Sequence, residues 1–246
     1  MNLYQANEVT KMLLEFKCSN HRSIKEKVSF SMIAGSDNTS EELLKKFGNF
    51  RILRSSVIYG ANGSGKSNFI SALSFMRDLV SNSINHQPGQ GVFQARHKLS
   101  AEETPSEYSI QFVRNDIRYA YGFSVKQNLI QDEYLYYFPR GRQVKVFERN
   151  GLDVRPGDRY KGVFDVSISI LKDNRLFLSC AANYSNIKEI EEAFMFFNTD
   201  IVVYNPEINN WTEYSIELMQ NNDMIKKVFV DMLRALGTGA KDVKVK

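Results

Sequence analysis

The octet Gly60-Ala-Asn-Gly-Ser-Gly-Lys-Ser67 constrains this chain more than any other stretch. It fits the pattern G-x-x-x-x-G-K-[S/T], in which successive backbone amides turn inward around phosphate oxygens. The glycines permit the close approach and the positive φ values that such a turn needs. Val57-Ile58-Tyr59 reads as a buried strand leading into the loop. From Lys66 onward Phe69, Ile70, Leu73, Met76 and Val80 fall at helical spacing. The expected order is strand, loop, helix, and the helix N-terminus adds its free donors and dipole to the loop. Lys66 would reach the β- and γ-phosphates of a nucleotide, and the Ser67 hydroxyl would ligate Mg²⁺. With Gly near 7% of residues, a chance match in a chain this long is on the order of one in a hundred. The placement between a strand and a helix lowers that further, so the octet is read as a phosphate cradle.

The 246 residues suffice for one large domain or two small ones. A hydrophobic share of 43% and a charged share of 24% exclude a disordered or fibrous chain. The 17 Phe and 12 Tyr favour substantial β-structure. No apolar run approaches a membrane span, and the opening MNLYQANEVT lacks a signal peptide's basic start and apolar centre. A cytoplasmic protein with no membrane association is expected. Cys18 and Cys180 form no disulfide framework or metal pair and are expected as reduced packing residues. The net charge of +4 is scattered, which permits nucleic acid without arguing for it.

Along the chain, Met12–Lys17 and Lys27–Ile33 read as a hairpin around the polar break Ser19-Asn-His-Arg-Ser23. Thr39–Phe47 reads as a short capped helix stopped by Gly48. Residues 81–107 lack periodicity and are expected as a mobile functional loop or a poorly ordered one. Four strands follow, at Tyr108–Arg114, Ile117–Val125, Ile130–Phe138 and Val144–Arg149, with turn signals at Asn115-Asp116 and Pro139-Arg-Gly141. They form an antiparallel meander. A helical segment begins at Asn183, Ile201–Tyr204 reads as a short buried strand, and a last helix spans about Met224–Leu236 with Gly237 as its stop. Three segments result: 1–107 with hairpin, loop and helix, 108–182 rich in β-structure, and 183–246 mostly helical.

Tyr59-Gly-Ala-Asn-Gly-Ser-Gly-Lys-Ser-Asn68, preceded by Asn20-His-Arg-Ser-Ile24, resembles the N-terminal part of an ABC-type ATPase head. The group is the SMC-, RecF- and OLD-like one, with the bacterial AAA family ATPases of anti-phage systems such as Septu and retrons. Thr104–Phe112, Arg118–Phe123 and Asp132–Tyr136 look like that bacterial group's β-rich insert. The resemblance implies an α/β P-loop fold with an antiparallel β-subdomain, ATP and Mg²⁺ as ligands, and a nucleotide-sandwiched homodimer. It also implies a sensor or regulator acting beside a nuclease or toxin. The nucleotide-binding candidates are Gly60, Asn62, Gly63, Ser64, Gly65, Lys66, Ser67 and Asn68, with Ser67 on the metal. By resemblance Arg22 would lie against the nucleotide with Ser23 beside it.

Hydrolysis in that group uses a strand-end pair of carboxylates and a serine-glycine signature loop, and neither is evident. Asp231 lies in a segment of helical spacing, and Ile201–Tyr204 ends in Asn205-Pro206-Glu207 without adjacent acids. The expectation is an N-terminal portion of a longer ATPase, in which the missing half carries those groups. Gln94 and Gln111 are candidates for the glutamine that contacts Mg²⁺ in such heads. His21, His86 and His97 share no metal spacing and are expected as surface or turn residues. Arg140-Gly-Arg142, with Lys145 nearby, is expected as a solvated turn, contact with phosphate backbone or a partner being the alternative. The alternatives are a DNA-repair or chromosome-maintenance ATPase, and a module that binds ATP without turning it over.

Overall fold

The computed structural model describes residues 10–36, 41–204 and 211–244, the last segment without the side chains of 211 and 212. The chain divides into two units, Met1–Ile201 and Val202–Lys246.

The first unit is built on alternating strands: β1 (Lys11–Ser19), β2 (Val28–Ser31), β3 (Leu44–Phe47), β4 (Phe50–Leu53), β5 (Ser106–Arg114), β6 (Ile117–Lys126), β7 (Leu129–Phe138), β8 (Val144–Asn150) and β9 (Asp153–Pro156). Seven of them form one antiparallel sheet in the order β2-β1-β5-β6-β7-β8-β9, while β3 and β4 pair with each other. The expected meander is present and β1 joins it through β5, so the sheet crosses residue 107. Asn115-Asp116 (φ 49° and 58°) and Gln127-Asn128 (φ 49° and 62°) are two-residue turns with both residues left-handed. That twist matches the flanking strands of a tight hairpin.

A bulge in β1 sorts the core. Leu13 pairs with Phe112 and Glu15 with Gln111, which leaves Leu14 extra. Leu13 and Phe16 then both pack into the larger core, and Leu14 joins Ile52 and Val113 in a smaller one. The larger core lies under α1 (Lys66–Asn82), α3 (Phe177–Tyr184) and α4 (Lys188–Met195); a short α2 (Asp165–Ser169) precedes α3. Helix α1 buries Phe69, Ala72, Met76, Leu79 and Val80, one stripe at the expected spacing, and Phe69 meets Phe16 edge-on at 5.2 Å between ring centroids.

One buried ion pair fastens α3 to the sheet. Glu133 on β7 and Arg149 on β8 are fully buried, 3.2 Å apart. The carboxylate also accepts from the Tyr121 hydroxyl (2.9 Å) and from the first-turn amides of Phe177 (2.6 Å) and Leu178 (2.9 Å). Arg149 donates three further N–H groups to the carbonyls of Gly151, Arg175 and Lys172. A charge from the sheet thus caps a helix N-terminus, whose amides would otherwise be orphaned.

Several expectations are corrected. The described part of Thr39–Phe47 is a 3₁₀ turn (Glu41–Leu43) followed by β3, not a helix; Thr39 and Ser40 lie outside the described residues. Gly48 (φ 53°) reverses the chain so that Phe47 pairs with Phe50, and the hairpin packs Ile52 into the smaller core. Val57-Ile58-Tyr59 forms no strand, with Val57 81% and Tyr59 89% exposed, and no described strand pairs with it. Ile201–Tyr204 is irregular, with Val202 and Tyr204 exposed. Residues 81–107 are neither loose nor free: Asn174 donates to the carbonyls of Gln87 and Gln90, and Asn20 bonds to the Thr104 carbonyl and the His97 amide. Strand β9 was not anticipated, since its charges and Pro156 suit only a sheet edge.

The second unit holds α5 (Trp211–Asn221) and α6 (Asp223–Ala235). Asn222 caps α6 by accepting from the amides of Met224 (3.1 Å) and Ile225 (3.2 Å), and Gly237 at φ 75° ends it where expected. None of the described helices is long and apolar enough to cross a membrane.

Candidate nucleotide site

The glycine octet opens α1. Gly65 is the residue before the helix, at φ 95°, and Gly63 sits at φ 79°. Both conformations favour glycine. The first amide to bond back along the helix is that of Phe69, to the Gly65 carbonyl at 3.0 Å. The amides of Lys66, Ser67 and Asn68 have no partner among the described residues, and no side chain caps the helix. These are the donors a helix N-terminus offers to an anion. The Lys66 ammonium folds back onto its own loop, donating to the carbonyls of Gly60 and Ala61, both at 2.8 Å.

The turn after β1 meets this loop. Asn20 and Arg22 are left-handed (φ 52° and 49°), and His21 and Ile24 exchange backbone hydrogen bonds at 2.8 Å. Two non-glycine residues held at positive φ in one tight turn mark a locally strained segment. Ser23 Oγ accepts from Asn68 Nδ2 at 2.6 Å, and a Cβ placed on Gly65 would lie 3.2 Å from the same oxygen. Ser23 is therefore packed against Gly65 of the octet across 41 intervening residues of sequence. Arg22 is exposed, anchored by its amide on the Ala95 carbonyl, and its guanidinium has no partner among the described residues. Ser23 thus touches the residues that open α1, whereas Arg22, its neighbour in sequence, is not among the residues lining the cavity beside the octet.

His21 was expected at the surface and is instead buried. Its ring lies 2.9 Å from the Tyr108 hydroxyl on β5 and 3.3 Å from Ser71 Oγ on α1, so it braces the turn against both elements. Burial, aided by the neighbouring Arg22 charge, lowers its pKa from 6.5 to about 4, which keeps the ring neutral.

Between the β1–β2 hairpin and the octet lies a cavity of about 320 Å³. Ser64, Gly65 and Lys66 form its polar side, and Ile24, Phe30, Ile58 and Tyr59 are among its apolar walls. Among the described residues no carboxylate lines it. A donor set of amides, ammonium and hydroxyls beside an apolar wall fits a phosphate attached to a base, so the residues present fit a nucleotide. Sequence reasoning missed the walls from β2, because only the folded hairpin brings them there; the alternation of Val28 and Phe30 was the available signal.

Other candidates separate. Gln94 lies one residue from Ala95, the acceptor of the Arg22 amide, and its buried Oε1 has no hydrogen-bond partner. Gln111 is committed elsewhere, to Glu15 across β1 and β5. Asp231 is exposed on α6 beside Arg234, a helix face and not a strand end, and Glu207 lies outside the described residues. His86 bonds the Asn174 carbonyl and His97 the Leu99 amide. Lys145 pairs with Glu148. Cys18 and Cys180 are buried free thiols, their pKa values raised by burial to about 11 and about 12, so they are unreactive packing groups. No group of three or more metal-binding side chains occurs among the described residues.

No curated protein matches the chain. Residues 55–161 match a family model described as "AAA domain, putative AbiEii toxin, Type IV TA system". The match begins five residues before Gly60 and so takes in the whole octet and α1. The sequence match, with the glycine octet and the α/β architecture, supports an AAA-type, P-loop ATPase-like domain in this chain.

Proposed function

We propose that the chain binds ATP with Mg²⁺ at Gly60–Ser67 and serves as the nucleotide-binding portion of an ABC-type ATPase head of the SMC-, RecF- and OLD-like kind. In this reading it works as a nucleotide-sandwiched homodimer in the cytoplasm and regulates a nuclease or toxin effector in bacterial anti-phage defence. The observation that carries the reading is the convergence of the Arg22-Ser23 turn on the octet, through the Asn68–Ser23 bond. A chance glycine turn has no need of a distant arginine and serine held in a strained loop beside it.

The chain's residues divide the work. The free amides of Lys66, Ser67 and Asn68 bind phosphate oxygens, and the Lys66 ammonium exchanges its bonds to the Gly60 and Ala61 carbonyls for the β- and γ-phosphates. By the resemblance Arg22 would add charge against the nucleotide, and the apolar walls would exclude water from one face. Ser67 would hold Mg²⁺, whose chemistry is to neutralise charge on the β- and γ-oxygens. Binding is what these residues supply; a general base would come from a residue outside the cavity lining.

The test is titration of ATP with and without Mg²⁺. Mg²⁺ should tighten ATP binding to the wild-type chain, and Ser67→Ala should lose most of that gain while still binding metal-free ATP. An undiminished Mg²⁺ effect in Ser67→Ala would remove Ser67 from the metal.

A further inference from the structure

The β3–β4 hairpin, the β5–β6 turn and the end of β7 enclose a second cavity, of about 480 Å³. Its walls include Phe47, Phe50 and Phe138, two arginines, Arg118 and Arg140, and a single carboxylate, Asp116. Strand register fixes the face it occupies. Arg118 lies opposite Val113 on β5 and Phe138 on β7. Val113 belongs to the small core beneath the hairpin, whereas its neighbour Phe112 packs into the core under α1. Adjacent strand residues point to opposite faces, so this cavity lies across the sheet from the glycine octet.

Arg118 is held in an unusual way. Its guanidinium carbon is 3.7 Å from the centroid of the Phe138 ring and 5.3 Å from that of Phe50. It has no ion-pair or hydrogen-bond partner among the described residues. Burial also works against its charge. A planar cation fixed on aromatic faces with its N–H edge unmatched is a site for an anion that carries a ring. Arg140, left-handed at φ 54° and exposed, supplies a second unpaired cation at the rim. Three phenylalanines are more apolar surface than a simple anion needs, and two arginines are more charge than an apolar ligand tolerates. Both conditions are met by a base joined to a phosphate, and the volume lies in the range of small-ligand pockets.

We propose that this cavity binds a nucleobase bearing a phosphate, the ring against the phenylalanines and the Arg118 plane, the phosphate on the arginine N–H groups. Unpaired bases of a single strand and free mononucleotides share that chemistry. The site is independent of the reading of the glycine octet.

The test uses the full chain carrying Lys66→Ala, in EDTA, so that the octet contributes nothing. One arm follows the fluorescence anisotropy of a labelled oligothymidylate lacking a 5′ phosphate; the other titrates thymidine 5′-monophosphate by calorimetry. Saturable binding in either arm, weakened about tenfold or more by Arg118→Gln and by the surface variant Arg140→Glu, is the expected result. The arm that binds identifies the source. Three results would overturn the proposal: no binding in either arm, binding that neither variant weakens, or displacement of the oligonucleotide by polyglutamate at equal charge, which would make the cavity a docking site for acidic protein.

Discussion

His21 shows how one side chain carries information that its neighbours in sequence do not. It stands between two left-handed residues, and its ring joins β5 to α1 directly behind the turn that presents Arg22 and Ser23. Because the folded state holds it neutral with a pKa near 4, against 6.5 when exposed, the unfolded chain binds its proton first as pH falls. The stability it confers is complete above about pH 6.5 and is lost progressively towards about pH 4. Urea unfolding across this window should give a steeper pH dependence for wild type than for His21→Gln, which cannot titrate. Equal slopes would mean that the ring is not held neutral. The sequence offered His21 no distinction from His86 or His97, since burial depends on β5 and α1 arriving from far along the chain. Ser23, by contrast, was singled out with Arg22 through resemblance to a known turn, and its hydroxyl does meet Asn68. The glycine turn and the helix start at Lys66 were legible from the octet alone.

Elements whose identity rests on local pattern came out as expected, and those that depend on distant partners did not. Helix α1 and strands β5 to β8 carry their own periodicity and turn residues. Leu44 and Phe47 sit three apart beside charged residues, which reads equally as one face of a helix. The pairing across Gly48, together with the link from Ile33 to Ile52, decides for a hairpin. Val57–Tyr59 has the composition of a buried strand, but burial requires neighbouring strands that the described residues do not provide. Between sheet and helix, the Glu133–Arg149 pair is the joint most sensitive to change. Glu133→Ala would leave Arg149 charged and buried and would strip two first-turn amides of α3 of their acceptor. A loss of about 3–5 kcal/mol in urea-unfolding free energy is expected. A loss below about 1 kcal/mol would show that α3 is held by its apolar face alone.

For the molecule as a whole, the large antiparallel sheet serves as a platform with different chemistry on its two faces. The side bearing α1 gathers the octet, the Arg22-Ser23 turn and an apolar cavity without carboxylates, and the opposite side offers stacked arginine and phenylalanine. Nucleotide binding at the octet is the claim on which the functional reading depends, and Lys66 is the residue whose removal isolates it. Its ammonium touches only the loop's own oxygens, so its loss should leave the cores intact. The decisive measurement is calorimetric titration of ATP with Mg²⁺ into wild type and Lys66→Ala, after urea unfolding has shown the two equally stable. With Arg118→Gln added to both proteins to silence the second cavity, the chain that keeps Lys66 should bind one ATP, and the one with Lys66→Ala should bind about a hundredfold more weakly or not at all. An unchanged dissociation constant in Lys66→Ala would contradict the assignment of Gly60–Ser67 as the nucleotide cradle.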